Sequence, residues 1–176
     1  MAKVESVTEL WQQIALGERS FVGIRLPKAQ LTGCRLWGLN LQGADLSRAE
    51  LEGSSLYQLN LSQSDLKLIR LSRARMHGIN LQGSDLRLAV VREAQLLQAN
   101  LSGANLRGAI LTQAVLIGAD LSGADLRGSL LQGADLRFTN LQGCLYDAST
   151  RWPDTFNPAQ ADMQQTGSQD TGAKTH

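Results

Sequence analysis

The sequence predicts an all-β solenoid in which the chain coils into a four-sided tube around a ladder of leucines. Leucine recurs at every fifth position from 26 to 141, and 22 of these 24 positions are leucine, with Met76 and Val91 as the exceptions. A small residue usually stands two positions before the leucine, and asparagine or aspartate often stands between them. Self-similarity at a fixed period is typical of folds that stack one repeated unit on the next.

A five-residue period fits neither regular secondary structure. In an α-helix each step of five residues turns by about 140°, so the leucines would spiral around every side. In a flat strand, side chains alternate between faces, and an odd period would send Leu101 and Leu106 in opposite directions. A short extended piece followed by a turn keeps the small residue and the leucine on one inward face. Glycine two positions after many of the leucines permits that turn.

Outward positions repeat at a lag of twenty residues, which predicts four pentapeptides per coil. The rows are Asn40, Asn60, Asn80, Asn100, Asp120 and Asn140; Asp45, Asp65, Asp85, Asn105 and Asp125; and Lys67, Arg87, Arg107 and Arg127. Residues 21–146 would then form about six coils. The inward leucines of the first side would stack as a core ladder of Leu41, Leu61, Leu81, Leu101, Leu121 and Leu141.

The repeated Ala-Asn/Asp-Leu run resembles the pentapeptide-repeat family, whose known fold is a right-handed quadrilateral β-helix. Two end motifs are similar to the cyanobacterial branch: Gly-Glu-Arg-Ser-Phe-Val-Gly-Ile-Arg-Leu at 17–26 and Tyr-Asp-Ala-Ser-Thr-Arg-Trp-Pro at 146–153. The resemblance implies a scaffold protein whose molecular role is unassigned in most members. It also implies an alternative, because some members mimic DNA and modulate type II topoisomerase.

A solenoid exposes strand edges and leucines at both ends, so the ends should be capped. We expect residues 1–20 to form a capping helix that begins with a capping box and ends at Gly17, although binding a partner is an alternative role for it. Its apolar face comprises Val7, Leu10, Trp11 and Ile14. Residues 147–158 should close the other end, and the polar segment 159–176 should be disordered.

The composition gives little support for an enzyme or a metal site. The two histidines, His77 and His176, leave no nucleophile, base and orienting group that could act together. Cys34 and Cys144 take inward positions too far apart for a disulfide. We therefore expect no catalytic residue, metal or cofactor. No apolar run could span a membrane and no secretory leader is evident, so a cytoplasmic location is the default expectation.

A row of outward apolar residues does not follow from the repeat. The positions just after the fourth-side leucine are Trp37, Tyr57, His77, Leu97 and Ile117, whereas the matching first-side positions are glutamine and serine. Outward positions on the third and fourth sides add Val90, Ile110, Leu130 and Val115. A contiguous apolar stripe usually marks an interface, with a protein partner or with a second copy. The alternative is that the tail or the helix covers the stripe.

Charge disfavours the nucleic-acid readings. The whole chain has 17 basic and 16 acidic residues. Residues 21–146 hold thirteen basic and nine acidic residues, a difference of +4, whereas a DNA mimic needs strong surface acidity. A basic cluster of Lys67, Arg70, Arg73, Arg75, Arg87 and Arg92 lacks interleaved aromatic residues. Paired surface charge is therefore favoured over a nucleic-acid site, and a protein-interaction scaffold is the function that we expect.

Overall fold

The computed structural model describes residues 4–166, and a ladder of parallel bridges runs through most of them. Each outward residue pairs with the residue twenty positions later, from Ser20 with Asn40 to Asp125 with Leu145. Each coil therefore has four sides of five residues. The sides are so short that most contribute a single bridging residue, and the only continuous strands in the described chain are β1 (Leu145–Tyr146) and β2 (Gln164–Gln165).

Backbone hydrogen bonds hold each coil to the next. The Leu101 N–H donates to the Asp120 carbonyl oxygen at 2.7 Å, and the Gly103 N–H donates to Ser122 at 2.8 Å. In the other direction the Asn100 N–H donates to the Ile79 carbonyl oxygen at 2.9 Å. This pattern repeats around the tube, so the backbone polar groups are satisfied between coils while the leucines point inward.

The core is the aliphatic ladder that the period predicts. The first-side leucines from Leu41 to Leu141 are between 1% and 7% exposed, and the small residues Ala44, Ala104 and Ala124 are fully buried beside their own side's leucines. Burying one leucine contributes about 1.5–3 kcal/mol. The stacked side chains therefore supply most of the driving force for coiling, because the extended sides are too short to be stable alone.

The corners need a left-handed backbone. The residue two positions after each leucine has a positive φ, and glycine fills many of these places, including Gly103 with φ 63°. Asparagine or aspartate braces the same turn. The Oδ1 of Asn100 accepts the Ser102 N–H at 3.0 Å, and the Asn140 amide donates to Asp120 Oδ1 at 3.0 Å in the neighbouring coil.

We expect Gly103→Ala to destabilise the protein by about 1 kcal/mol, because an L-residue in the left-handed region is strained. A Cβ at Gly103 would meet no atom within 4 Å, so backbone strain alone is tested. The reverse change Gln113→Gly, at a corner with φ 59°, should be neutral or stabilising. Chemical denaturation measures both variants, and equal stabilities would contradict this account of the corners.

The helix α1 (Val7–Ala15) covers the first coil. Ser6 is its N-cap and accepts the Glu9 N–H at 3.2 Å, as the capping box predicts. Leu10 is 1% exposed and belongs to the core, and Val7 and Ile14 pack against it. Trp11 was expected on the same face but remains 36% exposed and is not among the residues that pack against the core.

The carboxyl-terminal end departs from the predicted boundaries. The ladder continues past residue 146, because Leu130 pairs with Arg151 after one inserted residue. Trp152 and Phe156 then pack against the core, with ring centroids 4.9 Å apart. No helix among residues 4–166 is long and apolar enough to cross a membrane.

The expectation of disorder from residue 159 onward is wrong for residues 159–166. A 3-10 helix covers Pro158–Gln160, and β2 pairs in parallel with β1 on the edge of the last coil. The Gln164 N–H donates to the Cys144 carbonyl oxygen and the Thr166 N–H to Tyr146, both at 2.8 Å. A polar segment can be ordered here because the open edge offers backbone partners, which require no apolar side chains. The expectation for residues 167–176 lies outside the described residues.

Candidate functional site

The apolar stripe of Trp37, Tyr57, His77, Leu97 and Ile117 lies along one corner of the tube, between the fourth and first sides. The carbonyl groups of Tyr57, His77, Leu97 and Ile117 each accept a hydrogen bond from the corner of the preceding coil, as Leu97 does from the Gly78 N–H at 3.0 Å. The stripe residues are therefore held in register by the backbone. Its five coils span about 19 Å at the usual spacing between neighbouring strands.

Three ring side chains contact each other at the amino-terminal end of the stripe. Trp37 meets Tyr57 edge to face with centroids 5.6 Å apart, and Tyr57 stacks on His77 at 5.2 Å with an interplanar angle of 16°. Trp37 is 54% exposed, and the other four stripe residues are partly buried. The three rings form a row, which we call the ring ladder. It is exposed to solvent at Trp37, which suits contact with another apolar surface.

The other predicted apolar residues lie nearby but do not all extend the stripe. Val90, Ile110 and Leu130 form their own row on the third side through direct bridges, and all three are partly buried. Val115 lies on the fourth side, where its bridge partners are Gln95 and Asp135. Polar neighbours thus interrupt the fourth-side row, and the third-side row is a separate apolar strip on an adjacent side.

Five exposed apolar residues were missed by the sequence reasoning, namely Leu16 and Val22 near the first coil and Leu68, Leu88 and Phe138 at the corners of later coils. Phe138 is 88% exposed and lies on the stripe's corner at its carboxyl-terminal end. Leu68 and Leu88 lie at the diagonally opposite corner of the tube. These three corner residues have a positive φ of 58–59°. The available signal was their position two residues after the repeated leucine, where glycine and polar residues prevail.

The carboxylate rows are paired with cations, as the spacing predicts. Asp85 binds Arg87 through both carboxylate oxygens, and Asp135 binds Arg137 in the same way. Partial burial acts to raise the pKa of Asp85, but the hydrogen bonds and charge of Arg87 outweigh it and hold that pKa below its usual range. In the basic cluster, Arg70 pairs with Glu52 and Arg73 with Glu93. Cations therefore stand beside most carboxylates of these rows.

The potential metal ligands of the described residues form no metal-binding group, and of the two cysteines Cys34 is partly buried and Cys144 is buried. Within residues 4–166, no three His, Cys, Asp or Glu side chains are placed to hold a metal ion. Both cysteines are free. Burial raises the pKa of Cys34, and it raises the pKa of Cys144 to about 11. Both thiols are thus protonated near neutral pH, which suits a packing role.

A family model and several solved structures are similar to the chain. The model of the family described as pentapeptide repeats matches residues 29–67, 69–108 and 109–145, with 8 copies. Among solved structures, the chain is similar to HetL from the cyanobacterium Nostoc sp. strain PCC 7120, described as involved in heterocyst differentiation regulation. Identity is 32% and the TM-score 0.48, over 81% of this chain and 66% of HetL.

Two further solved structures are similar at comparable identity. Rfr23, a pentapeptide repeat protein from the cyanobacterium Cyanothece 51142, is 31% identical with a TM-score of 0.41, over 84% of this chain and 99% of that one. AT2G44920 from the Arabidopsis thaliana thylakoid lumen is 27% identical with a TM-score of 0.41, over 68% of this chain and 72% of that one. No curated protein matches the chain.

Proposed function

The chain belongs to the pentapeptide-repeat family, and from that premise we propose that it is a non-catalytic scaffold that binds a protein through the stripe. Family members are generally non-catalytic repeat proteins that fold as right-handed quadrilateral β-helices. The observation that carries the proposal is the ring ladder of Trp37, Tyr57 and His77, held in register and open on one edge. Large exposed aromatic side chains are enriched where proteins meet.

The fold does not require the exposed aromatic residues of the stripe, which favours a role for them in an interface. Trp37 leaves more than half of its surface in water, although a polar residue at the same corner would meet the needs of the turn. The first-side corner shows this, because Gln42 and Gln82 stand there on the same backbone. An aromatic corner therefore adds exposed apolar area without being required by the coil. The described part of the tail pairs with β1 and so lies on the second side.

The partner in this proposal is a protein or a second copy of the chain. Because Trp37 is 54% exposed, the partner should provide an apolar surface that receives the rings. The DNA-mimic alternative is disfavoured, because such a role needs an extended acidic surface and the acidic rows here are neutralised by arginines.

The test compares two triple variants that add the same charge. The first is Tyr57→Glu, Leu97→Glu and Ile117→Glu on the stripe. The matched control is Gln42→Glu, Gln82→Glu and Gln142→Glu on the exposed first-side corner. We expect affinity capture from lysate, read by mass spectrometry, and sedimentation velocity to show an association that the stripe variant loses and the control keeps. Both variants must first show an unchanged melting temperature.

Two results would contradict the proposal. Capture of the same proteins by the wild type and the stripe variant, with equal sedimentation, would mean that the stripe is incidental. Capture of type II topoisomerase subunits by both baits would favour the DNA-mimic alternative instead, and would direct attention to the charged rows.

A further inference from the structure

A groove of about 580 Å³ runs along the corner diagonally opposite the stripe. One wall is the cation row of Lys67, Arg87, Arg107 and Arg127. The other is formed by Leu68 and Leu88, and it continues into the bare backbone of Gly108 and Gly128. Five coils line it, the last through Asp147 and Ser149, so it is about 19 Å long, which matches about six residues of extended chain. We call this feature the leucine corner.

The two leucines are costly for the folded chain. Leu68 and Leu88 have φ of 59° and 58°, a conformation that is strained for bulky side chains. They are also 40% and 56% exposed. Glycine at the next two corners of the same row shows that the turn itself requires no side chain. Strain combined with apolar exposure points to a role outside folding.

The Leu88 side chain can take its position only because residue 108 in the next coil is glycine. A Cβ on Gly108 would lie 2.8 Å from Leu88 Cδ2, so the leucine side chain rests on the glycine backbone of the next coil. The Leu88 N–H donates to the Arg107 carbonyl oxygen at 3.0 Å, which fixes the two residues side by side. An aliphatic surface and a guanidinium group thus lie next to each other.

One cation of the groove forms no ion pair with a described carboxylate. Lys67, Arg87 and Arg127 each pair with a carboxylate in the neighbouring Asp row. Asn105 interrupts that row, and Arg107 consequently has no ion pair among residues 4–166; its backbone N–H donates to Asn105 Oδ1 at 3.3 Å. Arg107, whose charge helps to lower the pKa of Asp125 but whose guanidinium forms no ion pair within the described chain, therefore lies in the middle of the groove, next to Leu88.

We propose that the leucine corner binds an extended acidic segment of another protein, with a carboxylate on Arg107 and aliphatic side chains on Leu68 and Leu88. Successive side chains of an extended chain point to opposite sides. Such a segment can direct alternate carboxylates to the cation row and alternate aliphatic groups to the leucine wall. A nucleic acid fits less well, because no aromatic residue lines the groove that could stack on a base.

Fluorescence polarisation with a labelled peptide of alternating Asp and Leu tests the proposal. We expect saturable binding with a Kd below about 1 mM, weakened about tenfold by Leu68→Gly with Leu88→Gly and several-fold by Arg107→Gln. The matched control, Gln58→Gly with Gln98→Gly, relieves the same backbone strain at the stripe's corner and should bind like the wild type. The leucine variant should keep or raise the melting temperature, which separates lost binding from lost folding.

The other probes are an alternating Lys-Leu peptide and an oligothymidine of equal negative charge. Weak or absent binding of both supports the proposal. The proposal is overturned if the Asp-Leu peptide shows no saturable binding up to about 1 mM, if oligothymidine binds as tightly, or if the leucine variant binds like the wild type. None of these outcomes depends on the stripe, so this proposal and the proposed function fail independently.

Discussion

We expect Leu101→Arg to unfold the protein. Leu101 is 1% exposed at the middle of the ladder, between the small buried residues Ala99 and Ala104. Arginine there loses about 1.5–3 kcal/mol of leucine burial. An uncompensated buried charge costs about 3–5 kcal/mol more, and a domain of this size has a total stability of only about 5–15 kcal/mol. The expected result is loss of the far-ultraviolet circular dichroism and of the cooperative melting transition.

Two variants make the Leu101 result specific. Gln82→Arg adds the same side chain at an exposed corner and should melt like the wild type. Leu101→Met keeps the volume and the apolar character, and it should cost less than about 1.5 kcal/mol. Native circular dichroism and an unchanged melting temperature for Leu101→Arg would refute the inward ladder as the source of stability.

Asp147→Ala should give the second large effect, because this carboxylate organises the last turn of the tube. Its Oδ1 accepts the Gly128 N–H at 3.1 Å from the preceding coil, and the Ser149 and Thr150 N–H groups at 2.9 and 3.1 Å. Asp147 is partly exposed, so solvent reduces the value of these bonds. We expect a loss of about 1–2 kcal/mol at neutral pH, measured by chemical denaturation.

The effect of Asp147→Ala should depend on pH. Hydrogen bonds from the Ser149 side chain, the backbone N–H groups of Ser149 and Gly128, and the Thr150 hydroxyl hold the pKa of Asp147 below its usual range, and Arg127 lies close by. A carboxyl group with a lowered folded-state pKa stabilises fully above its unfolded pKa of about 3.9, and this contribution is lost as the pH falls toward the folded-state pKa.

The difference in stability between the wild type and Asp147→Ala should therefore shrink as the pH is lowered from about 6 to 2. Ser149→Ala removes one of the hydroxyl donors to the same carboxylate. In a Ser149→Ala background, the stability difference caused by Asp147→Ala should therefore be smaller than in the wild type. A stability difference that stays constant over this range would show that the carboxylate charge does not hold the turn.

The repeat and the rows were predictable because each pentapeptide sets the same local geometry. The inward position of Leu101 follows from the five-residue period, and the pairing of Asn100 with Asp120 follows from the lag of twenty. Both patterns recur many times, so deviations at single positions such as Met76 do not obscure them. The outward placement of the stripe followed by the same counting.

Three features could not be read from the pattern. The edge pairing of Gln164 depends on backbone groups that become available only when the last coil is complete. The exposure of Trp11 depends on which helix residues contact the first coil. The leucine corner depends on leucines at positions with a left-handed backbone and on the space that Gly108 leaves for Leu88. The sequence does not show this contact, because Gly108 looks like the glycine of any other corner.

By itself the sequence determined the coil, its inward ladder and the stripe's register, because burial of a residue repeated every five positions has one consistent solution. Only the tertiary structure decided which surface residues act together. It placed Arg107 beside Leu88, left that guanidinium without a carboxylate partner within residues 4–166, and ordered residues 159–166 on an open edge. These features arise between neighbouring coils, where residues twenty positions apart meet, and one irregular residue changes the environment of the next.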